Sequence, residues 1–291
     1  MVEISIITPC HNVPINWIKE LVSSLKKQAV DLELVVVSDA TEKELEKEVK
    51  EYLFSEKINL VYDEKVFRSP AKTRNHAIKK SSGEYFSFVD ADDYLEKNAL
   101  QKGLTAFDKK TDMVLFDRKK INADGSKVIY ETKNKQFLDL HKKYKNTIND
   151  VFLRMNFYGI KGIFRKDAVL NAGSFDEKYY GSEDTDLMLK IMDSTEELNV
   201  KAIEGSNYVY RENLGSVSQT KVERLRADAA KTINSALSRR GFENTQAKFT
   251  GRVEKYLFTF FDIYKNKEKI VPPYCYLKKD EYYILDKKIN Q

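Results

Sequence analysis

The first 120 residues alternate short apolar runs with segments whose apolar residues recur at helical spacing. This alternation is typical of βαβ units, which build a mostly parallel sheet flanked by helices. It therefore predicts an α/β fold of Rossmann-like type. The predicted strands are ISIIT (4–8), LELVVV (32–37), INLVY (58–62), YFSFV (85–89) and DMVLF (112–116).

The helix before the fourth predicted strand has clear start and stop signals. Ser69 is a residue type that caps helices, and Pro70 suits the first helical position because its fixed backbone angle matches a helix. Gly83 then favours termination. Further along, NADGSK (122–127) contains an Asp-Gly turn that predicts a hairpin, and the polar sequence after it predicts a helix to about residue 150.

The last part of the chain differs in composition from the rest. Residues 219–291 are rich in lysine, and we interpret them as a helical extension. Its aromatic stripe predicts packing against the preceding domain, with membrane-surface contact and self-association as alternatives. The stripe consists of Tyr256, Phe258, Phe260, Phe261 and Tyr264. The predicted domains are therefore residues 1–217 and a helical extension at 218–291.

Size and composition exclude several classes of protein. A chain of 291 residues with 42% apolar content can bury one large core, and a net charge of +5 is too balanced to indicate nucleic-acid binding. Its apolar runs are shorter than the roughly 20 residues that a membrane-spanning helix needs, and a secretory leader pattern is missing. Cys10 and Cys275 form no zinc or disulfide pattern. We therefore expect a cytoplasmic protein.

Polar clusters follow three of the predicted strands. They are TPCHN (8–12), SDAT (38–41) and DADD (90–93). Asp or Asn after a strand is ordinary turn chemistry, so one such cluster alone is weak evidence. Because the carboxyl ends of parallel strands meet at one edge, where α/β proteins bind ligands, three clusters together predict a binding site there.

The carboxylates of Asp90 and Asp92 are close enough in sequence to repel each other unless a positive charge lies between them. Mn²⁺ or Mg²⁺, held by both aspartates together with water or substrate phosphates, is one source of that charge. A calcium loop of the EF-hand type is excluded, because DADDYLEKNALQ lacks the glycine at position six and the glutamate at position twelve.

Five segments, taken in order, resemble the family 2 glycosyltransferases, which are inverting enzymes with the GT-A fold. They are SIITPCHN, VVVSDAT, AKTRNHAIKKSSGEYFSFVDADD, AGSFDE and GSEDTDL. The resemblance covers about residues 3–217. It implies a GT-A catalytic domain that transfers a sugar from a nucleotide-activated donor.

The resemblance also implies a donor-binding role for particular residues. Pro9 and Asn12 match the loop that lines the nucleotide pocket, and Asp39 matches an aspartate that accepts a hydrogen bond from the base, typically uracil. Arg74 is similar to an arginine near the phosphates, and Asp90 to the aspartate near the ribose. A UDP-sugar is therefore the expected donor, although the usual Asp-Asp-Gly-Ser is altered here to Ser-Asp-Ala-Thr (38–41).

The remaining carried-over roles concern the reaction itself. Asp92 resembles the aspartate that binds the metal bridging the diphosphate. Asp184 is similar to the catalytic base, and Glu183 would position the acceptor. Arg211 matches a basic residue placed against the leaving diphosphate. The local alternative for GSEDTDL is a helix start capped by Ser182, with an acidic first turn that suits the helix dipole.

Three functional hypotheses follow. The first is a metal-dependent inverting glycosyltransferase acting on a hydroxyl of a glycan, lipid-linked saccharide, wall polymer or protein. A nucleotidyltransferase would need a glycine-rich phosphate loop after the first strand, which TPCHNVP does not supply. The non-enzymatic rival is a nucleotide- or anion-binding module that docks on a membrane or nucleic acid through its basic tail. If the protein is a glycosyltransferase, we also expect it to contact the membrane peripherally and to form homo-oligomers through its C-terminal helices.

Overall fold

The computed structural model describes most of the chain. The described residues are 2–131, 134, 138, 160–194, 199–213, 222–242, 244–253, 258–270, 274–278 and 281–285. The predicted polar helix ending near residue 150 lies almost wholly outside these residues. Tyr256 of the predicted aromatic stripe lies outside them as well.

A mixed sheet with helices on its faces organises the described residues up to Arg211. Its strands are β1 (Ile4–Cys10), β2 (Leu32–Asp39), β3 (Leu60–Lys65), β4 (Tyr85–Phe88), β5 (Tyr94–Leu95), β6 (Met113–Ile121), β7 (Val128–Glu131), β8 (Gly162–Arg165) and β9 (Val200–Arg211). The helices of the described residues are α1 (Ile15–Leu25), α2 (Lys43–Ser55), α3 (Pro70–Lys80), α4 (Ala99–Thr105), α5 (Lys166–Asn171), α6 (Glu183–Asp193) and α7 (Val222–Arg239).

The strand order is β3-β2-β1-β4-β8-β6-β9-β5, with β7 paired to β6. Strands β1 to β4 pair in parallel, as the alternating pattern predicts, while β8 pairs antiparallel with both β4 and β6. The α/β fold class is therefore confirmed. The parallel register sets Cys10 beside Ser38, so the polar segments after β1, β2 and β4 reach the same edge.

The core consists of two layers, one on each face of the sheet. Side chains alternate along a strand, so Ile6 joins the layer under α1 and Ile7 joins the layer under α3. Ile18 and Leu21 of α1 pack in the first layer. The second layer contains Ala77 of α3 together with Leu187, Met188 and Ile191 of α6, so α6 packs on the same face as α3.

Strand β8 is inserted between β4 and β6 at close range. A Cβ atom at Gly162 would lie 2.2 Å from the carbonyl oxygen of Val114, a distance that real Cβ atoms do not adopt. Glycine is therefore required at this point of the β8–β6 pairing. This approach fixes the backbone next to Lys161, the residue that precedes β8.

Two local predictions are confirmed. Helix α3 begins at Pro70, and the Ser69 hydroxyl accepts a hydrogen bond from the Lys72 N–H at 3.4 Å. Strands β6 and β7 form the predicted hairpin, in which Gly125 has φ of +77°. Both features depend on residues a few positions apart, which a sequence displays directly.

Among the described residues of the 218–291 segment, the helical interpretation is right for α7 and wrong for those after Asn244. After α7 the described residues form β10 (Thr245–Val253), β11 (Phe258–Lys265), β12 (Glu268–Ile270), β13 (Tyr274–Lys278) and β14 (Glu281–Leu285). Phenylalanine, tyrosine, threonine and isoleucine favour strands, and they outweigh an aromatic spacing that also fits a helix. A two-residue turn at Asn266 and Lys267, both with positive φ, joins β11 to β12 as hairpin geometry requires.

None of the helices among the described residues combines the length and the apolar content needed to cross a bilayer.

Candidate active site

The carboxylate of Asp90 lies at the carboxyl edge of the sheet between two buried cations. The Arg74 Nη2 atom of α3 donates to Asp90 Oδ1 at 2.7 Å, and the Lys161 Nζ atom donates to Asp90 Oδ2 at 2.6 Å. Arg74 is 7% exposed, and so is Lys161. Burial favours the neutral acid, but the two cations outweigh it and hold the pKa of Asp90 well below its ordinary value.

Arg74 also binds the start of α6. Its Nη1 atom donates to Glu183 Oε1 at 2.6 Å, and its guanidinium lies 5.6 Å from the ring centroid of Phe175. One guanidinium therefore connects α3, the loop after β4 and the first turn of α6. This fork geometry, with two carboxylates on separate nitrogens, is one that arginine provides and lysine does not.

The Asp93 carboxylate is enclosed on the other side of Lys161. The Tyr208 hydroxyl donates to Asp93 Oδ2 at 2.6 Å, and the Arg211 N–H donates to Asp93 Oδ1 at 2.9 Å. Lys161 Nζ lies 2.9 Å from the Tyr208 hydroxyl and 3.5 Å from Asp93 Oδ2. Burial raises the pKa of Asp93 to about 7, because the positive charge of Lys161 offsets the effect of burial only in part.

These contacts add to one prediction. Lys161 and Arg74 supply positive charge that offsets the repulsion at Asp90, and the predicted divalent cation stays a prediction. Sequence reasoning missed Lys161, which stands 71 residues from Asp90. The available signal was a single lysine inside the otherwise apolar run GIKGIF (159–164), where a buried charge needs a partner.

Asp92 differs from its two acidic neighbours because an amide, not a cation, is the side chain it contacts. Its Oδ2 atom accepts a hydrogen bond from the Asn213 amide at 3.0 Å. Burial and the charge of Asp90 raise the pKa of Asp92. A partly buried carboxylate in this state is suited to bind a divalent cation through oxygen.

Within the described residues, no group of three or more His, Cys, Asp or Glu side chains forms a metal site. A cation at Asp92 would therefore need further ligands from water or from substrate phosphates, as Mg²⁺ and Mn²⁺ commonly have. Asp90 fits this role less well than predicted, because both of its oxygens already accept hydrogen bonds from cations.

Glu183 and Asp184 occupy the first turn of α6. Ser182 stands at the cap position with φ of +75°, but its side chain makes no capping hydrogen bond. Asp184 accepts a hydrogen bond from the Thr185 N–H at 2.7 Å and is half-buried. Glu183 is 6% exposed and bonded to Arg74, so it orients the arginine, and this contact does not support the predicted role in holding an acceptor.

The Asp39 carboxylate binds the loop between β3 and α3. It accepts hydrogen bonds from the N–H groups of Phe67, Arg68 and Ser69 at 2.6 to 3.1 Å, and from the Thr73 hydroxyl at 2.7 Å. A base that approached Asp39 would share oxygens that already order this loop. The direct role of Asp39 in the structure is therefore to position the segment that leads to Arg74.

The first-strand loop is ordered by contacts with the segment after β2. Asn12 has φ of +49°, and its side-chain oxygen accepts a hydrogen bond from the Glu42 N–H at 2.9 Å. The His11 ring nitrogen lies 2.7 Å from the Asp39 carbonyl oxygen. Pro9, at the end of β1, is partly exposed beside them. These residues lie at the edge where the nucleotide is expected.

Arg211 lies in contacts with the protein itself, and its predicted contact with the diphosphate stays a prediction. The guanidinium donates to the carbonyl oxygens of Asp92 at 3.3 Å and Ala123 at 2.8 Å, and it also pairs with Glu20. The Arg211 guanidinium lies 5.2 Å from the Trp17 ring centroid, and Arg211 is 3% exposed. These contacts fix the end of β9 against the loop after β4, and they leave the predicted diphosphate contact without support.

A family model described as "Glycosyl transferase family 2" matches residues 5–169, which is more than half of the chain. Poly(ribitol-phosphate) beta-N-acetylglucosaminyltransferase TarS of Staphylococcus aureus (strain MW2) is 29% identical over 211 residues, covering 62% of this chain and 35% of TarS. Minor teichoic acid biosynthesis protein GgaB of Bacillus subtilis (strain 168) is 25% identical over 226 residues, covering 75% of this chain and 24% of GgaB. The chain thus spans about a third or less of these two relatives.

Solved structures share the fold. S. aureus TarS 1–349 in complex with UDP has a TM-score of 0.60 and 21% identity, covering 81% of this chain and 65% of that one. Mannosyltransferase PcManGT from Pyrobaculum calidifontis, in complex with GDP-Man and Mn²⁺, has a TM-score of 0.58 and 17% identity, covering 81% and 64%. At these identities the likeness establishes the fold alone.

The buried Glu183 generates a prediction about pH. Burial raises the pKa of Glu183 to about 7 although Arg74 opposes the shift, so the folded protein binds this proton more tightly than the unfolded chain does. Stability contributed by the protonated acid should therefore be present below pH 4.5 and be lost as the pH rises to about 7. The loss is on the order of 3 kcal/mol.

Glu183→Gln removes this titration, so its stability relative to the unchanged protein should rise between pH 4.5 and 7. Denaturant unfolding at several pH values measures the difference. Parallel stability curves for the two proteins would refute the assignment.

Proposed function

The chain belongs to glycosyl transferase family 2, and from this we propose that it transfers a sugar from a UDP-sugar to an acceptor hydroxyl, with inversion, in a single metal-assisted displacement. The observation that carries the proposal is the contact of Arg74 with both Asp90 and Glu183. It brings the donor-side edge of the sheet and the start of α6 to one place. A transferase needs its donor and its base together in this way.

The donor assignment combines the edge geometry with the comparisons. The matched TarS structures include complexes with UDP and with UDP-GlcNAc, whereas PcManGT was solved with GDP-Man. We assign nucleotide binding to Pro9, Asn12 and Asp39 and the segments around them. Asp39 acts there by ordering the 67–69 backbone, which supports the pocket wall.

We assign the catalytic base to Asp184. An attacking hydroxyl loses its proton as it forms the new bond, and a carboxylate within hydrogen-bond reach accelerates that transfer by about 10² to 10⁴. Of the two neighbouring acids, Glu183 is hydrogen-bonded to Arg74. Asp184 does not share that hydrogen bond, so we assign the base to Asp184. Attack from the side opposite the leaving diphosphate inverts the sugar carbon, as in inverting glycosidases.

The metal assignment rests on Asp92, with Mn²⁺ or Mg²⁺ completed by donor phosphates. A bound divalent cation supplies neutralisation of the negative charge that develops on the leaving diphosphate. Asp92 fits because it lacks the cationic partners of Asp90 and has a raised pKa. Lys161 and Arg74 add fixed positive charge beside it.

The acceptor proposed first follows from the names of two relatives. The names of TarS and GgaB place those proteins in poly(ribitol-phosphate) glycosylation and minor teichoic acid biosynthesis. A polyol-phosphate polymer is therefore the first acceptor to test, before other glycans, lipid-linked saccharides and proteins. We expect the reaction in the cytoplasm, with the protein at most peripherally bound to the membrane.

The test is turnover of a panel of UDP- and GDP-sugars with and without Mn²⁺, using poly(ribitol phosphate) as acceptor. Release of the nucleoside diphosphate and mass spectrometry of the polymer are the two measurements. Transfer from a UDP-sugar confirms the proposal. Nucleotide binding without turnover by any donor would favour the non-catalytic binding module instead.

Asp184→Asn should lower kcat by about 10² to 10⁴, because the variant keeps the shape of the side chain and loses the base. Donor binding, measured by calorimetry with UDP, should change less than about twofold, since Asp184 acts on the acceptor side. Asp167→Asn, in the first turn of α5, is the control and should retain full activity. Normal turnover by Asp184→Asn would place the base elsewhere.

Asp92→Ala should abolish the stimulation of UDP binding by Mn²⁺ and lower kcat/KM about 100-fold or more, since a catalytic cation contributes several kcal/mol. Asp167→Ala serves as the control because this exposed aspartate lies on α5, away from the edge of the sheet. Metal-stimulated binding that survives in Asp92→Ala would rule out the metal assignment.

A further inference from the structure

Helix α7 follows the region that the family resemblance covers, yet it contacts the candidate active site. The Asp228 carboxylate on α7 accepts hydrogen bonds from the N–H groups of Tyr180 at 2.8 Å and Gly181 at 3.3 Å. Asp228 is 3% exposed, although it is a residue type that is rarely buried. Its two backbone partners come directly before Ser182, Glu183 and Asp184.

The turn that Asp228 contacts leads into α6 without a capping side chain at Ser182. Ser182 adopts φ of +75°, a backbone angle that is unfavourable for a residue with a side chain. Its side chain makes no capping hydrogen bond to α6. The N–H groups of Tyr180 and Gly181 are satisfied from α7. Arg224, one turn before Asp228, places its guanidinium 4.1 Å from the Tyr180 ring centroid. Two α7 side chains thus hold the residues that lead into Asp184.

Helix α7 is itself firmly attached to α6. Leu189 of α6 packs in one cluster with Ile233, Ala236 and Leu237 of α7, all of them fully buried. At the far end, Asp193 of α6 accepts hydrogen bonds from Arg239 at 3.1 Å and from Arg240 at 2.7 Å. The two helices therefore form one unit, and Asp228 lies at the end of that unit nearest the active site.

We propose that Asp228 is a positioning residue: by holding the Tyr180–Gly181 backbone it sets the direction in which Asp184 meets the acceptor hydroxyl. The proposal rests on the assignment of Asp184 as the base. Misplacement of a reacting group by about 1 Å can cost about 100-fold in rate. The catalytic unit consequently extends past residue 217 to include α7.

The alternative is that α7 only stabilises α6, in which case any contact between the helices would serve equally. Asp193 provides the matched control, since Asp193→Ala removes contacts between the same two helices and leaves the Tyr180–Gly181 turn untouched. Asp228→Ala is compared with it, and Asp228→Asn retains one carbonyl oxygen as a weaker acceptor. Three quantities are measured for each variant: kcat, the Kd for UDP, and hydrogen exchange of residues 178–186.

Asp228→Ala should lower kcat about 10- to 100-fold, keep the Kd for UDP within about twofold, and speed exchange of the 180–181 amides. Asp228→Asn should fall between this variant and the unchanged protein, and it carries the test if Asp228→Ala does not fold. Asp193→Ala should lower the Tm yet leave kcat and that exchange within about twofold.

Equal losses of kcat in Asp228→Ala and Asp193→Ala would overturn the proposal, and so would a rise in the Kd for UDP that accounts for the lost activity. Unchanged amide exchange in Asp228→Ala would also overturn it. If the unchanged protein transfers no sugar, the proposed function fails, and the exchange measurement still decides whether Asp228 holds the turn.

Discussion

The pairing of one partly exposed carboxylate with two buried cations is the interaction on which the candidate site depends. Asp90 accepts from Arg74 and from Lys161, and each of the three comes from a different part of the chain. Removing a charge of this kind from water costs several kcal/mol, which only close partners offset. The loop after β4, helix α3 and the residue before β8 must therefore assemble together.

This arrangement explains how Asp90, Asp92 and Asp93 tolerate one another. Asp90 is neutralised by two cations, Asp93 is enclosed by Lys161, Tyr208 and a backbone N–H, and Asp92 contacts an amide. Three neighbouring acids consequently have three different environments. Asp92 is therefore the acid of the three that we propose as the metal ligand, while Asp90 and Asp93 hold Lys161.

The parts of the structure that sequence reasoning reached are those with short-range causes. Helix α3 begins at Pro70 because Ser69 and Pro70 encode a helix start, and the parallel strands follow from buried apolar runs. The motif resemblance assigned Arg74 and Asp90 to the same nucleotide pocket, and the structure adds the hydrogen bond between them. Lys161 and Asp228 were missed because their partners lie 71 and 47 to 48 residues away, and spacing in sequence carries no trace of such contacts.

The wrong helical interpretation of the segment after α7 has a physical cause as well. The aromatic residues of β11 fit a helical spacing and also favour strands. The turn after β11, with two residues of positive φ, has the geometry of a hairpin, so the segment pairs as a strand. The diphosphate contact of Arg211 stays a prediction that follows from the place of a basic residue in the motif. Its guanidinium bonds to Glu20 and to two carbonyl oxygens, so it stabilises the rim of the sheet.

A double-mutant cycle with Asp90→Asn and Lys161→Met tests most directly whether Lys161 neutralises Asp90. The free energy of unfolding of the four proteins is measured by denaturant titration. Each single variant removes one of the partners of the remaining charge, while Arg74 still bonds Asp90 and Asp93 still lies near Lys161, so each should lose about 1 to 3 kcal/mol. The double variant should lose less than the sum of the two by at least about 1.5 kcal/mol. Additive losses would show that the two side chains do not depend on each other, and would contradict the account.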